Sequence, residues 1–174
     1  MKKQEKRGRR CFGMDEAMVQ LVAAGEQGDR KAQYKLGLIY YHGQGVERDH
    51  HKAAEWLEKA AAQGDFAAND MLGACYYMIG LDYYCGTETE QDYAKALSYF
   101  HEAADRGLLE AQYALGFNYA LGIGVEKDYQ QGFAWLMEAI EQEEDTPAYM
   151  VQDICRQYGK PGIVKKRIVG FKKK

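Results

Sequence analysis

Apolar positions recur along this chain at helical spacing, and the recurrence is itself repeated. Ala32, Leu36 and Tyr40 fall at i, i+4 and i+8, and Ala53, Trp56 and Ala60 fall at i, i+3 and i+7. Each set marks one face of a helix. Residues 32–64 align without a gap to residues 111–143, with 15 of 33 positions identical. Ordinary composition would give about two. The shared frame is Leu36, Gly37, Tyr40, Gly43, Gly45, Val46, Asp49, Trp56, Leu57 and Ala60, copied as Leu115, Gly116, Tyr119, Gly122, Gly124, Val125, Asp128, Trp135, Leu136 and Ala139.

A middle copy lies between them. Ala68, Leu72 and Gly73 match the first half of the unit at an offset of 36. Gly86, Asp92, Lys95, Ala96, Tyr99 and Ala103 match its second half at an offset of 43. The seven additional residues are nearly two helical turns, so they preserve facing and put Tyr76 and Tyr83 on one stripe. The insert therefore reads as a longer first helix, with a loop bulge around Gly80 as the alternative.

Each copy predicts a helical hairpin, helix A followed by helix B. Asp29 caps helix A of the first copy and Gly43 ends it in the left-handed conformation. Asp49 caps helix B, and Asp92 and Asp128 repeat that role. Gly37 is expected to let helix B approach near Ala60, and Trp56 to fill each hairpin core. Residues 15–28 read as a capping helix. Thr146-Pro147 opens a closing helix over 146–158, since proline suits the first helical turn. The expected organisation is a basic tail over 1–14 and a repeat domain over 15–158. The latter divides into repeats at 29–64, 65–107 and 108–145. A basic tail over 159–174 follows.

This pattern resembles the Sel-one-like repeat (SLR) family, relatives of the tetratricopeptide repeats. The residues that carry it are Ala32-Gln33-Tyr34 with Leu36-Gly37, Tyr40, Gly43-Gln44-Gly45-Val46 with Asp49, then Lys52-Ala53, Trp56, Lys59-Ala60-Ala61 and Gly64. The second repeat departs at Gly86-Thr87-Glu88-Thr89 and at Tyr99, and the third at Gln131-Gly132. The resemblance implies an all-α, right-handed α/α superhelix (solenoid) of three hairpins with terminal capping helices. It implies an adaptor or scaffold for protein–protein interaction, with no catalytic residues, and the cysteine pattern adds the expectation of a cytoplasmic location.

Helix A carries a second stripe. At about 100° per residue, Tyr34, Leu38 and Tyr41 lie about 160°, 200° and 140° from Leu36. The matching positions are Asp70, Ala74 and Tyr77 in the second repeat and Tyr113, Phe117 and Ala120 in the third. In the related families these positions line the concave surface where partner peptides lie. The alternative is that they pack against the next repeat's helix A.

Charge is divided sharply. Residues 1–10 carry +5, residues 11–155 carry −16 and residues 156–174 carry +8, giving the net −3. The acidic body suggests a protein partner with a basic segment, or simply a solvated surface. The basic ends read as solvated tails, as contacts for nucleic acid or another anionic partner, or as a strand of charge folding back onto the body. No aromatic interleaving or base-reading motif supports nucleic acid. No apolar run is long enough to cross a membrane, and the basic N-terminus leads into no signal-like apolar region.

Candidate chemistry is sparse. Ser98 is the sole serine, and no general base is placed for it. Cys11, Cys75, Cys85 and Cys155 show no metal-ligand spacing, and free thiols fit a reducing compartment. Cys75 and Cys85 on one helix would be about 15 Å apart, too far for a disulfide. Secreted cysteine-rich relatives that bind or hydrolyse penicillins bridge the helices of each repeat, and the first and third repeats here contain no cysteine. A penicillin-binding or β-lactamase-like enzyme is the disfavoured alternative. His50-His51 reads as a solvated first turn, His42 is isolated, and His101 is placed on the exposed side of helix B. No metal, cofactor or small-molecule substrate is expected.

Overall fold

A computed structural model describes residues 16–142. The basic ends and the expected closing helix at 146–158 lie outside the described residues. These residues form seven α-helices and no strand, in two compact units divided after Asp65.

The first unit contains α1 (Glu16–Glu26), α2 (Arg30–His42) and α3 (His50–Ala62). Asp29 starts α2 by accepting from the Ala32 N–H at 2.8 Å. Gly43 ends it at φ 68°, in the left-handed region, where a Cβ would be strained. Asp49 then caps α3 through the Lys52 N–H at 2.9 Å. Its own N–H donates to the Tyr40 carbonyl at 3.0 Å and closes the connection. The hairpin core is Ala32, Leu36, Ala53, Ala54, Leu57 and Ala60, all buried.

Two packing expectations are corrected here. A Cβ at Gly37 would lie 2.5 Å from Leu57 Cγ, so Gly37 makes room for Leu57 rather than for the region of Ala60. Trp56 is not the core of its hairpin. It turns toward α1, where a Cβ at Gly25 would lie 3.0 Å from its ring, and Lys59 covers it at 4.2 Å. The tryptophan thus seals successive helices, while Leu57 fills the hairpin.

An amide pair with one buried member, Gln33, adds a polar fastening. Gln33 Nε2 donates to the Gly25 carbonyl at 2.9 Å, and Gln63 Nε2 donates to Gln33 Oε1 at 2.7 Å. Gln33 is buried, so these partners satisfy groups that would be costly alone. Arg30 and Asp65 form an ion pair at 3.7 Å across the same end.

The second unit contains α4 (Phe66–Cys85), α5 (Tyr93–Ala104), α6 (Leu109–Leu121) and α7 (Tyr129–Gln142). α4 has 20 residues against 13 in α2 and α6. The insert is therefore continuous helix, not a bulge. Tyr83 stacks on Tyr99 at 5.7 Å and Tyr76 tilts against it at 6.1 Å, so the two tyrosines share one stripe as the spacing predicted. Gly80 lies inside the helix because Phe100 fills the space beside it, 2.6 Å from where a Cβ would be.

Asp92 caps α5 through the Lys95 N–H at 3.0 Å. Asp128 accepts from the N–H groups of Gln130 and Gln131 at 2.8 and 3.1 Å. In the last hairpin a Cβ at Gly132 would lie 2.7 Å from the Gly116 carbonyl oxygen. That close approach of α6 and α7 accounts for glycine where the first repeat has Ala53. The amide fastening recurs, with Gln142 Nε2 donating to Gln112 Oε1 at 2.9 Å.

Candidate protein-interaction surface

Helix A has one face consumed by its hairpin and another that is not. In α2, Ala32, Leu36 and Gly37 are buried, while Tyr34, Leu38 and Tyr41 are half-buried. Tyr41 meets His42 edge-on at 5.0 Å and tilts against His50 at 5.5 Å. His50 is only 7% exposed. This corrects the solvated first turn expected for the histidine pair: His51 is exposed, but His50 packs beneath Tyr41. Lys31 and Lys35 stand exposed on α2, giving this stripe a cationic margin.

In the second unit the stripe is more apolar. Tyr77 rests on Phe100 at 5.4 Å. Burial, and secondarily the Glu110 carboxylate, push its phenol pKa up, which sets the α4 stripe beside α6. Tyr113 is half-buried, Asp70 is exposed and Ala74 is half-buried. Phe117 is 44% exposed, and Leu121, one turn further, is 55% exposed, but Ala120, expected on the same stripe, is buried against Gly132 of α7.

The second repeat's register differs from the one expected. Gly80 faces Phe100 as Gly37 faces Leu57 and Gly116 faces Leu136, which fixes the offset for this helix at 43. The counterparts of Leu38 and Tyr41 are then Leu81 and Tyr84, with Tyr77 matching Tyr34. Asp70 and Ala74 lie one to two turns nearer the N-terminus of α4. Tyr84 is half-buried, edge-on to Tyr93 at 5.0 Å. Leu81 and Tyr84 are the counterparts that an offset of 36 leaves out, and the signal for them is Gly80, which repeats Gly73 at a spacing of seven.

The remaining candidates offer little chemistry. Ser98 Oγ donates to the Lys95 carbonyl at 2.7 Å, as a helical serine commonly does. Cys75 and Cys85 are free, and burial pushes the Cys75 thiol up to about 12, far from a reactive thiolate. Among the described residues no three His, Cys, Asp or Glu side chains are grouped to hold a metal ion. His101 is not on an exposed face. It is half-buried against Tyr119 and Trp135, because helix B of one hairpin packs on the next. Among the described residues no helix is long and apolar enough to cross a membrane.

Likenesses to known proteins bear on the fold and the family. The chain is 40% identical over 63 residues to the ERAD-associated E3 ubiquitin-protein ligase component HRD3A of Arabidopsis thaliana, covering 36% of this chain. It is similar to the crystal structure of c5321, a protective antigen of uropathogenic Escherichia coli strains displaying an SLR fold. The TM-score is 0.51 and the identity 36%, over 73% of this chain. It is also similar to a Sel1 repeat protein from Oxalobacter formigenes, with a TM-score of 0.56 and 31% identity over 79% of this chain and 98% of that one. The chain spans 9% of the length of HRD3A and 26% of that of c5321. The fold is thus the all-α hairpin-repeat fold of the SLR solenoids. The Sel1 repeat matches residues 30–65, 72–108 and 109–143, more than half of the sequence, and the chain belongs to the Sel1 repeat family.

Proposed function

We propose that this protein is a non-catalytic adaptor that holds a segment of a partner protein against the second stripe of its A helices. The stripe comprises Tyr34, Leu38 and Tyr41 in the first unit. In the second it comprises Tyr77, Tyr113 and Phe117, with Asp70 and Ala74 at its N-terminal end, Leu81 and Tyr84 added by the structural register, and Leu121 by its exposure on α6. The observation that carries this reading is the exposure of Phe117 and Leu121 on α6, a helix whose opposite face is fully used by α7 and α5. Large apolar groups left open in succession favour association, and tyrosine combines contact area with a hydrogen-bonding tip.

HRD3A supports the reading in kind, since its name makes it a component of a ligase assembly. The free thiols of Cys75 and Cys85 fit a reducing compartment, which favours the cytoplasm as the place of action.

A photo-crosslinking residue at Phe117, compared with one at the exposed Glu102 on α5, tests the site. In host lysate the Phe117 probe should form a discrete protein adduct that excess unlabelled protein abolishes, and the Glu102 probe should not. Equal labelling from both positions, or none from Phe117, would contradict the assignment.

A further inference from the structure

Each hairpin holds a tyrosine of helix A against helix B, but the third does so differently. Tyr40, Tyr83 and Tyr119 occupy one repeat position, and their carbonyls accept from Asp49, Asp92 and Asp128 at 3.0, 2.9 and 2.9 Å. In the first two hairpins a lysine lies over the ring: Lys52 at 5.8 Å from Tyr40 and Lys95 at 5.3 Å from Tyr83. The third repeat has Gln131 there. Tyr119 is met instead by His101, from α5 of the preceding hairpin. His101 Nε2 lies 3.1 Å from the Tyr119 hydroxyl. The imidazole also stands edge-on to Trp135 of α7 at 5.5 Å.

A contact that is permanently cationic in two hairpins is therefore replaced by a titratable one in the third. It also moves from within a hairpin to the seam between hairpins, because Tyr119 and Trp135 belong to the two helices that follow α5. The position matching His101 in α1, 79 residues earlier, is Val22. The groups facing the imidazole are the Tyr119 phenol from α6 and the Trp135 indole from α7. The charged group that acts on it is Asp105, one turn on at the C-cap of α5. Asp105 favours the proton, but burial outweighs it and holds the imidazole below its ordinary pKa of 6.5.

We propose that His101 is a proton-operated latch between α5 and the α6–α7 hairpin: the neutral ring holds the seam closed, and the imidazolium opens it. The sign follows from linkage. A histidine that binds its proton less readily when folded contributes its full stability above the ordinary value and loses it as pH falls below. Acidification through the range in which histidine ordinarily titrates should therefore loosen the attachment of α6 and α7.

The test uses the full chain. Amide exchange would be followed at about pH 7.5 and about pH 5.5, corrected for intrinsic rates, alongside an NMR titration of the His101 ring. Protection of α6 and α7 should fall on acidification by up to about tenfold for each unit by which the folded pKa lies below the free value. His101→Val, which installs the residue found at the matching position of α1, should remove that fall, and so should His101→Gln. An unchanged pH response in either folded variant would overturn the latch. So would a His101 resonance titrating at the free value with no loss of protection. The ring titration in the wild-type chain decides the matter even if both variants fail to fold.

Discussion

Gly80 stands to Phe100 as Gly37 stands to Leu57 and Gly116 to Leu136: in each hairpin the missing Cβ of helix A is the space that the large residue of helix B fills. The Cβ distances would be 2.6, 2.5 and 2.5 Å, shorter than packed side chains allow. The repeat is therefore registered by a glycine–knob pair rather than by its tryptophan.

Gly80→Ala is expected to destabilise the protein by about 1–3 kcal/mol, the usual cost of overpacking a filled core. That cost opposes a helix-propensity gain of about 1 kcal/mol. Gly73, in the same helix, meets only the Arg106 stem and the Ala103 carbonyl, at 3.3 Å and beyond. Gly73→Ala should be neutral or stabilising. Urea unfolding of the two variants checks the contrast, and equal effects would contradict the registering role of Gly80.

Asp49 couples the cap of α3 to acid stability. Burial alone would raise its pKa, but the Lys52 ammonium and the Lys52 backbone N–H outweigh this and hold the carboxyl below 3.8. A carboxylate held low stabilises the fold above its ordinary pKa, and that contribution is lost as pH falls through the folded value. Asp49→Ala should cost about 1 kcal/mol at neutral pH. Asp49→Asn should keep the cap and flatten part of the decline toward about pH 3, measured as urea midpoints across pH.

The amide fastenings should be worth more than their surface-like composition suggests. Gln33→Leu removes the Gln33 side chain from both contacts, while the Gly25 carbonyl keeps the Gly28 N–H and the exposed Gln63 amide keeps the Gly28 carbonyl. A loss of about 0.5–1.5 kcal/mol is expected. A double-mutant cycle of Gln33 with Gln63 should show coupling of about 0.5 kcal/mol or more; strict additivity would show that the pair is incidental.

Deleting residues 74–80 should leave a folded helical protein. The deletion removes seven residues, close to two turns, and so keeps facing. It brings Gly73 into the place of Gly80, opposite Phe100, in a helix the length of α2 and α6. Circular dichroism and a cooperative melt check this. A collapsed, non-cooperative chain would mean that the insert is required by the fold.

Much of this was legible because it is local. Asp29, Asp49, Asp92 and Asp128 cap their helices, Gly43, Gly86 and Gly122 take positive φ, and the seven-residue insert is helix. These features depend only on near neighbours in sequence. What was misread depends on the contact between successive helices. Trp56 turns to α1, and His101 is enclosed by Tyr119 and Trp135. Nothing in the hairpin's own periodicity marks those directions. Gln33 and Gln63 are repeated identically as Gln112 and Gln142, yet glutamine reads as surface until its partner, 30 residues away, is in place. In the second repeat Gly73 and Gly80 satisfy the pattern equally, so spacing alone pairs Leu38 with Ala74, while the glycine–knob register pairs Leu38 and Tyr41 with Leu81 and Tyr84.

The most direct measurement compares protein capture from host lysate by the wild-type chain and by a variant carrying Tyr34→Ala, Tyr41→Ala, Tyr113→Ala and Phe117→Ala, once equal helicity and melting have been established. Loss of a specific captured protein from the folded variant, restored when the aromatic residues are returned, is the predicted result. Identical capture by both chains would contradict the stripe as the partner-binding face.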